Sequence, residues 1–180
     1  MIRLLIIADD DSLLGQTPNG QADVLISCGD LMDQTIERVA RACQCRAVVA
    51  VRGNHDAAGA FANGVTDLHL RVYEFGGIRF GGFGGSWRYK PRGHHLWDQH
   101  EVTALLRQMP AVDVFVAHNS PRGVHERDFD VHQGFDGFAD YIVNSRPRYF
   151  IHGHQHVNRV TQCQDTAVVG VYGAHWLDLS

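Results

Sequence analysis

The chain has 180 residues, of which 44% are hydrophobic and 20% charged. That is the usual size of one domain, with ordinary globular composition and enough length to bury a core. A net charge of −4 with histidine neutral supplies no global field that would draw the chain onto nucleic acid or an anionic membrane. Met1 leads into a short apolar stretch and then Asp9-Asp10-Asp11, which is neither a signal peptide nor a membrane span.

Residues 2–8 (IRLLIIA), 22–28 (ADVLISC) and 46–51 (RAVVAV) are short apolar runs, each ending in a polar or glycine-containing turn. Such runs fit strands buried on both faces. Residues 34–44 carry apolar side chains at 36, 39, 40 and 43, which is helical spacing. The start therefore reads strand, loop, strand, helix, strand, an α/β arrangement with parallel strands. In residues 67–85, Gly76-Gly77 and Gly81-Gly82 are expected to break short strands and form a hairpin. A helix is expected over 98–109, closed by Pro110, followed by a strand at 112–117. A second helix over 134–145 should stop before Pro147, and a strand at 148–152 should be followed by two or three β segments. No repeat or linker interrupts the pattern, so one domain is expected over 1–180.

Asp9, Asp30, Asn54, His118 and His154 all fall just after the ends of expected strands. In open α/β sheets, ligands bind at the carboxyl ends of strands. Five such residues in equivalent places suggest one site, and the abundance of histidine (12) and glycine (19) fits a site built on loops. Carboxylate, carboxamide and imidazole donors suit Mn, Fe, Zn or Mg. Two such ions about 3.5–4 Å apart can clamp an in-line displacement at phosphorus and deprotonate a shared water. The cysteines Cys28, Cys43, Cys45 and Cys163 lack zinc-site spacing and are expected as free thiols in a reducing cytoplasm.

Asp9-x-Asp11, Gly29-Asp30-x-x-Asp33, Gly53-Asn54-His55-Asp56, the lone His118 and Gly153-His154-x-His156, in that order, resemble the calcineurin-like metallophosphoesterase family. The resemblance spans residues 9 to 156. It implies a four-layer α-β-β-α sandwich, with two mixed sheets face to face and helices outside. It also implies that Asp9, Asp30 and His156 hold a first metal, and that Asp30, Asn54, His118 and His154 hold a second. His55 would be the general acid, with Asp56 orienting it.

One position departs from the family pattern. The family usually has D-x-H in the first motif, and this chain has Asp11 in place of the histidine. Because Asp9 and Asp11 would share one side of an extended segment, Asp11 is taken as a ligand. A third carboxylate would favour Mn²⁺, Mg²⁺ or iron over Zn²⁺; the alternative is that Asp11 faces solvent and the first metal is weak.

Asp33 reads as a cap for the following helix, and His152 as a packing residue or one just behind the metal ligands. Arg88 is a candidate phosphate grip. Lys90 and Arg92 read as solvated, and His94, His95, His125 and His132 as surface or structural. The expected function is hydrolysis of a small phosphate ester by two divalent ions, Mn²⁺ favoured, with a diester preferred by family analogy. The competing readings are a non-catalytic protein-binding scaffold of the same fold and a nuclease. A nuclease is disfavoured by the negative charge and the lack of a basic stripe.

Overall fold

The computed structural model describes residues 1–127 and 130–179. The leading apolar runs form strands β1 (Ile2–Ala8), β2 (Val24–Ser27) and β3 (Ala47–Ala50), with helix α1 (Asp33–Ala42) between the last two. Next come β4 (Thr66–Asp67), β5 (Val72–Phe75), β6 (Ile78–Phe83), β7 (Ser86–Trp87) and β8 (Leu96–Trp97), then helix α2 (Gln99–Leu106) and β9 (Val114–Ala117). Helix α3 (Asp136–Ser145) precedes β10 (Tyr149–His152), and the chain finishes with β11 (Arg159–Cys163), β12 (Thr166–Gly170) and β13 (Gly173–Leu179).

The strands build two large sheets, ordered β13-β1-β2-β3-β4 and β11-β12-β10-β9-β6-β5, plus a small β7-β8 ribbon. The interior strands of both sheets run parallel. β13, β11 and β5 close edges antiparallel. The architecture is thus two mixed sheets in a sandwich with helices outside.

The layering follows from alternation along the strands. On β1, Leu4, Ile6 and Ala8 point between the sheets and meet Val114, Val116 and Ile151 of the second sheet. Leu5 and Ile7 point the other way, onto Ile36 and Val39 of α1. The outer face of the second sheet sets Phe115 and Phe150 against Val102, Phe138 and Tyr141 of α2 and α3. A strand apolar on both faces therefore has two cores to fill, which is why its sequence shows no alternation. Each fully buried aliphatic or Phe side chain contributes about 1.5–3 kcal/mol.

Local signals set several ends. Asp98 and Glu101 form a reciprocal capping box at the start of α2, with Asp98 N–H donating to Glu101 Oε2 at 2.8 Å. Gly76 and Gly77 sit at φ 59° and 81° between the paired Phe75 and Ile78, the geometry of a two-residue hairpin turn. Gly81 and Gly82 do not break a strand as expected; both lie inside β6. Their lack of a side chain serves packing, since a Cβ on Gly82 would overlap the Val116 carbonyl oxygen and one on Gly81 would press on Met109.

Gly82→Ala should therefore lose roughly 2–3 kcal/mol through overpacking. Gly77→Ala, where a Cβ meets open space, should lose only about 1 kcal/mol for its left-handed backbone. Urea denaturation of the two variants checks the ranking, and a Gly82→Ala protein as stable as the parent would contradict it.

Candidate metal centre

Parallel pairing levels the strand ends. Ile7, Ser27 and Ala50 are in register in one sheet, and Phe83, Ala117 and His152 in the other. The loops that follow carry Asp9, Asp30, Asn54, His118 and His154, and short backbone contacts join them. Asp9 N–H donates to Gly29 O at 3.3 Å, and Gly153 N–H donates to His118 O at 3.0 Å. One ligand atom from each of Asp30, His118 and His154 lies within 4.8 Å of the other two.

His118 is fully buried, and its Nδ1 donates to the Cys28 carbonyl at 2.7 Å. A carbonyl only accepts, so that bond assigns the Nδ1 proton and turns Nε2 toward Asn54 Oδ1 at 3.0 Å and Asp30 Oδ2 at 3.4 Å. Burial opposes a charge on His118, but the Asp30 carboxylate, with help from Asp9 and the Cys28 carbonyl, raises its pKa to about 9. Asp30 is affected in the opposite sense. Burial favours its neutral form, yet His118 and the His55 N–H hold it well below the usual carboxylate range. An imidazole nitrogen and a carboxylate oxygen converging at 3.4 Å suit a divalent cation, whose binding requires the imidazole proton to leave.

His154 is nearly buried, and burial together with the charge on His118 keeps it neutral, the form that ligates. Its Nε2 donates to Val131 O at 2.9 Å, which leaves Nδ1 for a cation. Asp9 accepts the His154 N–H through Oδ2 at 2.8 Å. Its other oxygen, Oδ1, is buried with no hydrogen-bond partner and stands 3.7 Å from Nε2 of His156, whose side chain is exposed. A cavity of about 400 Å³ opens over these groups and is also lined by Asn54, His55, Tyr89 and His132.

The backbone around the cavity is strained. Among the described residues ten non-glycines have positive φ, and Asp9, Asp30, His154 and His156 are four of them, at 59°, 54°, 62° and 49°. Left-handed backbone costs of order 1 kcal/mol per residue and tends to concentrate at functional sites. Glycines permit the convergence. A Cβ on Gly53 would overlap the Asp30 carboxylate, one on Gly29 would overlap Gly53 N, and one on Gly153 would press on Asp9.

Several roles expected from sequence are placed elsewhere. Asp11 is not drawn into this cluster. The Asp10 carboxylate accepts from Ser12 N–H and starts a 3-10 turn at Asp11–Leu14, so Asp9 and Asp11 are not on one extended segment. Asp11 Oδ1 instead accepts from Met32 N–H at 3.0 Å and Thr35 Oγ1 at 2.5 Å. It thereby serves the start of α1, where Met32 has no capping side chain. Asp33 is not the cap; its carboxylate takes Arg52 Nη1 at 2.6 Å and Ala62 N–H at 3.2 Å.

Asp56 does not orient His55. Its carboxylate accepts the N–H groups of Asp30 and Leu31, both at 3.0 Å, and of Gly53 at 2.7 Å. Burial raises its pKa against those bonds. Arg88 turns away from the cavity to Asp98 at 3.0 Å and Glu101 at 3.5 Å. His125 and His152 form a structural pair: His152 Nδ1 donates to Gly153 O, and His125 Nδ1 meets His152 Nε2, each at 2.9 Å.

Two lining residues carry no readable signal in the sequence. Tyr89 lies in a basic stretch whose charge dominates its pattern, and its hydroxyl accepts from Asn54 Nδ2 at 3.3 Å, which orients the carboxamide. His132 lies beside His154, the two rings tilted with centroids 5.1 Å apart, placed by a loop whose course the sequence pattern does not reveal.

The donor set fits divalent cations: hard oxygens, imidazole nitrogens and a desolvated carboxylate oxygen that accepts no hydrogen bond. The family model for the calcineurin-like phosphoesterase superfamily domain matches residues 7–174. No curated protein matches the chain by sequence. The fold is similar to that of TT1561 of Thermus thermophilus, at 14% identity and TM-score 0.64 over 96% of this chain and 89% of that one. It is also similar to phosphopantetheinyl hydrolase (PptH) from Mycobacterium tuberculosis, at 18% identity and TM-score 0.62 over 94% and 89%. Wild-type Vps29 from Entamoeba histolytica complexed with Zn²⁺ aligns at 13% identity and TM-score 0.52 over 96% and 74%. The match over nearly the whole length, on a scaffold that gathers these side chains at its strand ends, makes the chain a member of the calcineurin-like phosphoesterase superfamily.

Proposed function

We propose that the chain is a phosphoesterase working with two divalent cations, one held by Asp30, Asn54, His118 and His154 and the other by Asp9, Asp30 and His156. The observation that carries this reading is Asp9 Oδ1, buried, accepting no hydrogen bond and 3.7 Å from His156 Nε2, beside the converging donors of Asp30, His118 and His154. A desolvated carboxylate oxygen without a partner costs several kcal/mol unless a positive charge compensates it. The family match supports hydrolysis, and two structural neighbours carry the names of a hydrolase and of a Zn²⁺ complex.

When bound, the cations supply Lewis acidity at the phosphoryl oxygens and offset the charge that repels a nucleophile. The remaining work falls to the chain itself. Cys28 O and Tyr89 Oη fix the His118 ring and the Asn54 carboxamide, so these donors are set before substrate arrives. The His55 side chain is exposed at the cavity edge, while its backbone N–H is anchored on Asp30 Oδ1 at 2.8 Å. From there the imidazole donates a proton to the leaving oxygen.

We favour a diester over a monoester. Among the described residues no arginine lines this cavity, Arg88 and Arg52 are committed to Asp98 and Asp33, and a singly charged diester demands less compensation than a monoester dianion. Mn²⁺ remains our preferred ion among Mn, Fe, Mg and Zn, since the set joins carboxylate and carboxamide oxygens to imidazoles and has no thiolate. Among the described residues no helix is long and apolar enough to cross a membrane, and the unpaired thiols fit a cytoplasmic enzyme.

Two variants test this reading. His55→Ala should bind Mn²⁺ as the parent does while its turnover of bis-p-nitrophenyl phosphate falls about 10²–10⁴-fold; undiminished turnover would remove His55 as the acid. Asp11→Ala should lose about 1 kcal/mol of stability in urea through the lost cap and leave calorimetric Mn²⁺ titration unchanged. A weakened Mn²⁺ site would return Asp11 to the ligand set.

A further inference from the structure

A second cavity, of about 480 Å³, adjoins the metal centre and shares Asp30 and His55 with it. We propose that it receives the alcohol half of the ester and selects neutral or cationic alcohols over anionic ones. The inference rests on the phosphoesterase reading above and adds the substrate class.

The position follows from His55. If phosphorus sits over Asp9, Asp30 and His154, a proton from His55 reaches the ester oxygen on the His55 side. The group attached to that oxygen then extends beyond His55, and the space found there is this cavity. Its walls give it an apolar body: Ala57, Ala58 and Ala60 are exposed along it, and Met32 is 49% exposed at its margin.

Its charge sets the selection. With Asp30 engaged at the metal centre, the carboxylates of Asp11, Asp33 and Asp56 still line the cavity against the single guanidinium of Arg52. That guanidinium is not free. Its Nη1 and Nη2 are bonded to Asp33 and Nη2 to Ala60 O at 3.2 Å, it lies over the Phe61 ring at 3.7 Å, and its Nε, which lacks a partner, is buried away from the cavity's solvent. The positive end of α1 also opens here, but the Asp11 carboxylate already accepts Met32 N–H there, and Asp33 adds a negative charge in the first turn. Beyond the His55 imidazole, which serves the ester oxygen, a carboxylate or a second phosphate on the leaving group would face these carboxylates with no uncommitted side-chain cation on the cavity wall, whereas a hydroxyl or ammonium group would not be repelled.

Two phosphonates with the same head and opposite tails test this by calorimetry on the Mn²⁺-loaded protein, with no turnover required. The expected result is that 2-aminoethylphosphonate binds about tenfold or more tightly than 3-phosphonopropionate, and that Ala58→Lys, on the exposed wall, shrinks that ratio about fivefold. Ala60→Lys serves as the second variant, and an unchanged Mn²⁺ titration shows that either variant is intact. Equal affinities, or a ratio that neither lysine moves, would overturn the proposal. If bis-p-nitrophenyl phosphate is still hydrolysed in that case, the phosphoesterase reading survives without the subsite. Failure to bind either phosphonate, together with no hydrolysis, would overturn both.

Discussion

The Asp56 carboxylate ties together the two loops on which the centre is built. It takes backbone N–H groups from Asp30 and Leu31 after β2 and from Gly53 after β3. Hydrogen bonds to a carboxylate are roughly twice as strong as neutral ones. Three of them converge on a side chain whose burial still raises its pKa above the usual carboxylate value. With those loops clamped, Asp30 reaches His118, the missing side chain of Gly53 leaves room for both, and Asn54 is delivered to His118 Nε2. The salt bridge between Asp33 and Arg52 joins the same two segments a second time.

This frame holds together groups that resist convergence. Four candidate ligands sit in left-handed backbone, and Asp9 keeps a buried oxygen without a partner. The strain is tolerated because the parallel strands beneath are buried on both faces, so the loops spring from ends that cannot move apart without opening two cores. Stability stored in the sandwich therefore supports a local arrangement that is unfavourable until positive charge arrives.

Much of this is legible in the residues. Apolar runs without alternation mark strands with a core on each side, and a polar residue capable of ligation after each run marks the rim where those strands end. What cannot be read depends on partners distant in sequence. Gly81 and Gly82 look like a break until Val116 and Met109 are seen to occupy the space of their side chains. Asp11 looks like a ligand by spacing, but one hydrogen bond from Ser12 N–H to Asp10 curls the segment and sends Asp11 to the start of α1. Arg88 looks like a phosphate grip until the capping box of α2 presents it with two carboxylates. The motif marks Asp56 for the right place and the wrong task, since backbone N–H groups leave no trace in a side-chain pattern.

With Asp11 turned to the start of α1, the two proposed cation positions are unequal. One has a buried imidazole, a nearly buried imidazole, a carboxamide and a carboxylate already converging; the other relies on Asp9, Asp30 and an exposed His156. Anomalous scattering at the Mn edge from crystals grown with Mn²⁺ locates the cations. A strong peak is expected among Asp30, Asn54, His118 and His154, and a weaker one between Asp9 and His156, with Asp11 remote from both. Absence of any peak beside His118, or a peak coordinated by Asp11, would contradict that arrangement.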